Sequence, residues 1–541
     1  RLEELLGIGE ESLPALRRTG KGVLRYFHTR RDGHQNQPVL QVRDGLDGSD
    51  RALVDPNAMS TDGTTSLDWY QPSNDGALLA YGVSEGGSEE STLRIRDVTT
   101  GQDLADQITR ARYSSVCWLP GGKRFYYSRF PAKGSVPAGE EQYHRSIFEH
   151  EIGRSPDADP QVFKAKVFTD FPSCAISPNG RWLVMRVHQG WSKSSLLMAD
   201  TRQKKLVWKE ITEGKDNVYD PLPLDDLLWV RTNEGAPRYA VYAVDPNQPE
   251  RAKWKRVVAE HPEDVLTDFN VIGGEVLVAY THEVVSRLER FDQAGTSKGS
   301  VDLPTLGNSN GFAGLHDDSQ AFFDFESFVT PPSIRRIDLR SGKVSVWKEV
   351  KADIATDQFT VTARKAKSKD GTLVPYLMVH KKDVSLTSKD NPTLLYGYGG
   401  FNVSLLPRFS RSTYAFIERG GISVQANLRG GGEFGEDWHR AGQLEKKQNV
   451  FDDFIAVAED LTRSKVTRPA RLAIHGRSNG GLLVAAALVQ RPELFAAAVS
   501  GVPLTDMLRY HQFQIAKLWI PEYGSAEDPK QFEWLYAYSP Y

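Results

Sequence analysis

The sequence of 541 residues predicts two domains of different fold class, a seven-bladed β-propeller followed by an α/β domain. Two observations carry this prediction. A turn signal followed by an aromatic or aliphatic strand recurs seven times between residues 20 and 350, and past residue 351 buried strands alternate with helices. Repeats of 44 to 58 residues with several strands each are typical of propeller blades. Continuous apolar strands separated by helices indicate a mostly parallel sheet covered on both faces.

The repeats are regular enough to count. Their turn signals lie at residues 22, 76, 122, 180, 226, 274 and 318. In most repeats a second strand-like run follows and ends near an acidic residue, as in Leu93–Asp97 and Ile334–Asp338. The alternative, a pair of β-sandwiches, does not account for seven equivalent turn signals. Histidines such as His188 are scattered through the repeats, which is typical of surface or core positions and not of a metal site.

Composition limits the classes of function. Hydrophobic residues make up 39% and charged residues 25% of a chain whose net charge is only -3, so the sequence offers no basic field for nucleic acid. It also contains no apolar run of membrane-spanning length. We therefore expect neither a nucleic-acid partner nor membrane insertion.

The two cysteines, Cys117 and Cys174, are too few for a disulfide framework or a thiolate metal site. They favour a reducing, cytoplasmic location, and we expect no metal and no cofactor. Because the chain begins at Arg1 and not at Met, a signal peptide would not be visible, and a periplasmic or secreted location stays open.

The segment from Arg471 to Gln490 predicts a strand, a tight turn and a helix. An apolar run, Leu472–Ile474, meets Gly476-Arg-Ser478-Asn-Gly480, and an Ala, Leu and Val-rich stretch follows. This pattern is a nucleophile elbow, in which the small glycines allow strand and helix to approach closely. It predicts Ser478 as an acyl-transfer nucleophile and the backbone amide of Asn479 as an oxyanion donor. The alternative is a chance match of the five-residue pattern, which the flanking strand and helix make less attractive.

The rest of the α/β domain is predicted around this turn. The predicted elements are a hairpin at Thr360–His380, strands at Thr393–Tyr396, Ile422–Ala426, Leu472–Ile474 and Ala497–Ser500, and helices at Asn449–Arg463 and Leu482–Arg491. Two glycine-rich loops, Tyr396–Asn402 and Arg429–Gly435, follow strands and therefore form candidate walls of a site at the carboxyl edge of the sheet. Neither loop has the pattern of a nucleotide-binding loop. Asp452 and Asp453 are expected to open a helix and interact with its dipole.

Several segments together resemble the prolyl oligopeptidase family of serine peptidases. They are Tyr396–Asn402, Ala426–Glu433, Lys447–Asp453, Ser478–Val484, Gln490–Pro492 and Asp506–Leu508, with further likeness at Gln35–Leu40 and Leu53–Asn57. The resemblance spans nearly the whole chain. It implies a seven-bladed propeller capping an α/β-hydrolase domain, which agrees with the repeat count. It also implies a cofactor-free monomer that cleaves short peptides after proline.

The resemblance also implies roles for individual residues. By position in the motifs, Tyr398 corresponds to the side-chain oxyanion donor and Asn479 to the backbone donor. The proline pocket corresponds to Phe401, Leu504, Trp519 and Tyr523. Arg477 stands where the family would have glycine, and we expect this difference to alter the rim of the site and not the reaction.

The triad of this fold follows the order Ser, Asp, His, and only 63 residues follow Ser478. Asp506 and His511 lie in a segment that resembles a non-catalytic part of the family. We therefore expect that the triad Asp and His are not in this chain and that the 541-residue chain alone is inactive. On this interpretation residues 1–19 are a remnant of the N-terminal part of the catalytic domain, 20–350 form the propeller, and 351–541 form a truncated hydrolase domain.

Two other functions stay open from the sequence. The chain could be a non-catalytic propeller interaction protein, for which the short C-terminal part is the support. It could also be a serine peptidase or esterase with a different preference at P1, the substrate residue before the scissile bond.

Overall fold

The computed structural model describes residues 1–212, 214–350 and 352–541, which form a β-propeller and an α/β domain. Seven separate antiparallel sheets follow one another along the chain, and the predicted count of seven blades is confirmed. Blade 1 consists of β1–β5: Glu10–Glu11, Ala15–Arg18, Leu24–Arg31, Val39–Asp44 and Arg51–Val54. Blade 2 consists of β6–β9: Ser66–Pro72, Leu78–Ser84, Thr92–Asp97 and Asp103–Ile108. Blade 3 consists of β10–β13: Val116–Trp118, Arg124–Arg129, Ser146–Glu151 and Gln161–Lys164.

The remaining four blades repeat the four-stranded pattern. Blade 4 consists of β14–β17: Phe171–Ile176, Trp182–His188, Ser194–Asp200 and Lys209–Glu210. Blade 5 consists of β18–β21: Tyr219–Pro223, Leu228–Thr232, Ala240–Val244 and Lys255–Val258. Blade 6 consists of β22–β25: Val265–Ile272, Glu275–His282, Val285–Asp292 and Ser297–Val301. Blade 7 consists of β26–β29: Phe312–Gly314, Gln320–Phe325, Ser333–Asp338 and Val344–Glu349.

The start of blade 1 differs from the predicted boundary at residue 20. Both β1 and β2 pair with β3, and Leu16 in β2 is buried between half-buried neighbours, as a strand with one face on the core requires. The first helix, α1 (Leu2–Leu6), instead packs Leu5 in one apolar cluster with Tyr414 and Ile417 of the second domain. The other predicted boundary falls on Lys351, which lies outside the described residues.

The second domain has a six-stranded sheet with the order β30-β31-β33-β32-β34-β35. Its strands are Phe359–Lys367 (β30), Leu373–Lys381 (β31), Thr393–Tyr396 (β32), Ile422–Ala426 (β33), Leu472–Arg477 (β34) and Ala497–Gly501 (β35). The four strands β32 to β35 are parallel to one another, and β30 and β31 form the expected antiparallel hairpin.

Six helices accompany this sheet in the described part of the domain. They are Arg411–Glu418 (α2), Glu436–Arg440 (α3), Gln448–Arg463 (α4), Asn479–Gln490 (α5), Ile520–Tyr523 (α6) and Pro529–Tyr538 (α7). Helix α4 buries Val450, Phe454, Val457 and Leu461, the spacing of one apolar helix face. This face and the apolar α5 belong to the same core as the sheet, so they hold β34 and its turn in place. Across the described residues, no helix combines the length and the apolarity that crossing a membrane would require.

Candidate active site

Ser478 forms the turn between β34 and α5. Its backbone has φ 58° and ψ -120°, a strained conformation for a residue with a side chain. The strand and helix can approach only because Gly476 lacks a Cβ, which would lie 2.2 Å from the carbonyl oxygen of Gly480. The Ser478 side chain is exposed, whereas Asn479 is buried. The turn therefore presents the hydroxyl at the N-terminal end of α5, where the first backbone amides lack partners within the helix.

A cavity of about 660 Å³ lies between the two domains and includes Ser478 in its wall. The other predicted site side chains also line it: Tyr398, Phe401, Leu504, Trp519 and Tyr523. From the propeller come Tyr113, Arg145, Phe171, Ser173, Arg186, His188, Gly190 and Trp191. The volume is in the range of small-molecule and peptide sites. The structure therefore brings the predicted side chains to one surface, and it adds a propeller wall that sequence reasoning did not find.

The buried side chain of Asn479 connects two walls of the cavity. Its Nδ2 donates to the backbone oxygen of Tyr398, and its Oδ1 accepts a hydrogen bond of 2.8 Å from the Tyr523 hydroxyl. Phe401 then packs edge-on against Tyr523, with ring centroids 5.4 Å apart, and against Trp191 of the propeller at 5.2 Å. The sequence predicted a role only for the backbone of Asn479, so these two side-chain hydrogen bonds are an additional finding.

Burial controls the protonation of the polar groups on the cavity. It raises the pKa of the Tyr398 phenol, an effect that the neighbouring Ser478 hydroxyl opposes, so Tyr398 remains a hydrogen-bond donor at neutral pH. Burial also lowers the pKa of His188 to about 3, with Arg186 contributing, so this imidazole is neutral. His188 lines the cavity even though the sequence predicted no role for it.

A buried charged network supports the loop that carries Tyr398. The Glu522 carboxylate accepts hydrogen bonds from the Phe401 backbone amide at 3.0 Å and from Lys447 Nζ at 3.1 Å, and it contacts His439 Nε2 at 3.0 Å. Lys447 Nζ also donates to the Gly399 carbonyl at 3.0 Å. The network therefore fixes both ends of the Gly399–Phe401 turn beside Tyr398.

The charges of this network stabilise one another. Burial favours neutral Glu522, but Lys447 and His439 outweigh it and hold the pKa of Glu522 below its usual value. Burial likewise favours neutral His439, but Glu436 and Glu522 raise the pKa of His439 to about 9. The motifs Tyr396–Asn402 and Lys447–Asp453 pointed to this region in the sequence, but they did not predict the ion pairs with His439 and Glu522, which come from other segments.

Asp453 does not interact with a helix dipole, and that prediction was wrong. Helix α4 begins at Gln448, so Asp453 lies in its second turn and is fully buried. Its carboxylate accepts hydrogen bonds from the Arg429 backbone amide at 3.1 Å and from the Arg429 guanidinium at 2.9 Å. Asp453 therefore anchors the second glycine-rich loop.

Asp506 and His511 lie away from the cavity. Asp506 pairs with Arg509, and His511 lies 3.3 Å from the carboxylate of Glu527. Within residues 1–212, 214–350 and 352–541, no hydrogen bond joins a histidine to Ser478, and His188 is the only histidine on the cavity wall. The same residues contain no cluster of three side chains suited to hold a metal ion.

A nucleophile-elbow turn on a mostly parallel sheet, facing a seven-bladed propeller across a cavity, defines the class of propeller-capped α/β hydrolases. Two models of protein families match this chain. The model "Prolyl oligopeptidase, N-terminal beta-propeller domain" matches residues 9–350, and the model "Prolyl oligopeptidase family" matches residues 407–541. The chain belongs to the prolyl oligopeptidase family.

Characterised relatives agree with this assignment. The prolyl endopeptidase of Elizabethkingia meningoseptica is 34% identical over 524 residues, which cover 96% of this chain and 73% of the relative. A solved structure from a study of two prolyl endopeptidases is 38% identical, with a TM-score of 0.96 over all of this chain and 79% of its own. Prolyl oligopeptidase B from Galerina marginata, bound to a 25mer macrocyclization substrate, is 27% identical, with a TM-score of 0.93 over all of this chain and 78% of its own. These relatives support a prolyl peptidase function.

Proposed function

We propose that the protein is a serine endopeptidase that hydrolyses short peptides on the carboxyl side of proline, with Ser478 as its nucleophile. The observation that carries the proposal is the shared cavity, on which the exposed Ser478 hydroxyl, the Tyr398 phenol and the Trp519 side chain lie together. Family membership supports the same reaction class.

In the proposed reaction, Ser478 Oγ gives up its proton to a base, attacks the carbonyl carbon of the proline residue and forms a tetrahedral oxyanion. Tyr398 Oη and the Asn479 backbone amide donate hydrogen bonds to that oxyanion. Collapse of the intermediate breaks the peptide bond, the base returns the proton to the leaving amine, and an acyl-enzyme remains on Ser478, which water then hydrolyses. Each such donor in other serine peptidases contributes about 3 to 4 kcal/mol to transition-state stabilisation.

The proline side chain is proposed to pack against Trp519, with Phe401, Leu504 and Tyr523 around it. A flat aromatic face suits a compact apolar ring, and the Tyr523 hydroxyl is already bonded to Asn479. The pocket therefore presents mainly apolar surface to a pyrrolidine ring.

Serine catalysis also needs a base to accept the Ser478 proton and an acid to orient that base. The proposal assigns neither to any of these 541 residues, since Asp506 and His511 are bonded elsewhere. We therefore expect the 541-residue chain alone to show negligible turnover.

A fluorophosphonate probe tests the nucleophile. Protein expressed from its complete gene should become labelled at Ser478, as located by peptide mass spectrometry, and should cleave a proline-containing peptide. The Ser478→Ala variant should do neither, while the control variant Ser464→Ala, which lies outside the cavity wall, should behave as the wild type. Equal labelling of wild type and Ser478→Ala would refute the assignment, and robust turnover by the isolated 541-residue chain would show that the base lies within it.

A further inference from the structure

The propeller wall of the cavity contains a buried arginine that has no acidic partner among the residues that the structure describes. Arg145 immediately precedes β12, is only 5% exposed, and lines the cavity that includes Ser478. Its guanidinium lies over the rings of Phe130 and Phe171, with its central carbon 4.7 and 4.5 Å from the ring centroids. Arginine that is this deeply buried is normally paired.

The hydrogen bonds of Arg145 leave most of its guanidinium unused. Nη2 donates to the backbone oxygen of Arg112 at 2.8 Å, while Nε is buried without any partner. Nη1 makes no hydrogen bond within the described residues and, unlike Nε, keeps some exposed surface. Two of the three nitrogens are therefore free of protein acceptors.

The arginines around it are compensated. Arg186, on the same wall, forms an ion pair with Asp220, and Arg112 pairs with Glu89. In the described part of the chain no carboxylate lies within ion-pair distance of Arg145, and no Asp or Glu lines the cavity. Burial, with a contribution from Arg112, lowers the pKa of Arg145 to about 9, which still leaves it charged at neutral pH.

An uncompensated buried cation is costly, and stacking on two aromatic rings offsets only part of that cost. A ligand carboxylate would supply the missing charge and accept from Nη1. We propose that Arg145 binds a carboxylate of the peptide substrate, carried by an acidic side chain or by the C-terminus, and so selects acidic peptides. This inference rests on the proposed function, because it assumes that a peptide occupies the cavity.

Binding to the 541-residue chain tests the inference without requiring turnover. Calorimetry at low salt compares the binding of proline peptides that are acetylated and amidated at their ends. The first arm carries Glu at one of the three positions before proline, and the second arm carries Gln at the same position. A third arm uses the Gln peptide with a free C-terminal carboxylate. We expect the peptide with a carboxylate at one of these positions to bind about tenfold more tightly than the matching neutral peptide. This is the scale of one charge-assisted hydrogen bond.

Variants distinguish a direct contact between Arg145 and the peptide carboxylate from a general electrostatic attraction by the propeller. Arg145→Met should bring the ratio of the two dissociation constants close to one, chiefly by weakening the binding of the acidic peptide. Arg145→Lys should keep part of the preference. Arg112→Met removes the same charge from a neighbouring residue outside the cavity wall and should keep the full preference; thermal unfolding verifies that each variant folds.

The outcomes distinguish this inference from the proposed function. If neutral and acidic peptides bind equally in every arm, or if Arg145→Met keeps the preference, Arg145 is not a carboxylate site although peptides still bind. If no proline peptide binds at all, the proposed function fails and the inference fails with it. A preference only in the third arm identifies the terminal carboxylate as the ligand.

Discussion

At the scale of single residues, Asn479 connects parts of the site that come from different elements. Its backbone begins α5 next to Ser478, while its side chain bonds the Tyr398 carbonyl on one side and the Tyr523 hydroxyl on the other. A change in the position of Tyr523 would therefore be transmitted to the proposed oxyanion donors. This arrangement couples the proposed proline pocket to the turn that carries Ser478.

Trp519 is the residue on which proline selection should depend most. Trp519→Ala should reduce the discrimination between a proline and an alanine peptide by about 1 to 3 kcal/mol, the usual scale for a hydrophobic pocket. The dissociation constants of the two peptides measure this. Trp534→Ala, in α7 and outside the cavity wall, is the matched control and should leave the ratio unchanged. An unchanged ratio in a folded Trp519→Ala variant would remove Trp519 from the pocket.

Which residues could be predicted depends on whether their signal is local. Ser478 could be predicted because the turn needs small residues at Gly476 and Gly480, which lie two residues to either side of it in the sequence. Arg145 could not be predicted, because its significance comes from the three-dimensional structure, in which no carboxylate of the described residues lies near its guanidinium. The role of Glu522 could not be predicted for a similar reason, because its partners Lys447 and His439 come from other segments of the chain. The roles assigned to the pocket residues remain predictions.

At the scale of elements, the sheet could be predicted more reliably than the helix starts. Buried strands such as Thr393–Tyr396 are continuous apolar runs, and the structure has β32 at those bounds. Helix α5 was predicted from Leu482 but begins at Asn479. Its first turn contains two glycines, which disfavour a helix by propensity but allow close packing: a Cβ on Gly481 would lie 2.7 Å from the Gly501 carbonyl oxygen. Tertiary packing therefore overrides propensity at this turn.

The loop that carries Tyr398 depends on Glu522, and this dependence is testable. Glu522→Gln leaves Lys447 buried without its counter-ion and should destabilise the fold by about 3 kcal/mol in denaturant unfolding. Glu493→Gln, which breaks only an exposed pair with Arg491, should have a much smaller effect. Equal effects of the two substitutions would mean that the buried network does not stabilise the loop.

The pH dependence of the same variant gives an independent measurement. The pKa of His439 rises on folding from its usual 6.5 to about 9, so its contribution to stability is complete below pH 6.5 and is lost as the pH rises towards 9. Glu522→Gln removes one of the two carboxylates that raise this pKa. The decline in stability between pH 6.5 and 9 should therefore be shallower in the variant than in the wild type.

At the scale of the whole molecule, the cavity is bounded by two domains that are joined by a series of polar contacts. Tyr143 Oη of the propeller donates to the Gln514 carbonyl at 2.8 Å, and Asn402 Nδ2 donates to Tyr239 Oη at 3.2 Å. Trp191 and Phe401 add one aromatic contact. Interfaces of this polar kind permit relative motion of domains. We therefore expect peptides to reach Ser478 when the two domains separate along this seam.

A disulfide that joins the two domains across this seam should prevent their separation and so hinder the entry and exit of peptides. A Cβ on Gly190, in the loop after β15, would lie 3.4 Å from Cβ of Pro521 in α6, which is close to the separation in disulfides. In the oxidised Gly190→Cys/Pro521→Cys variant, association and dissociation of a fluorescent proline peptide should slow at least tenfold, and reduction should restore both rates. Gly190→Cys alone controls for the positive φ of 68° at this position. Identical exchange rates in the oxidised and reduced double variant would show that peptides enter without opening this seam.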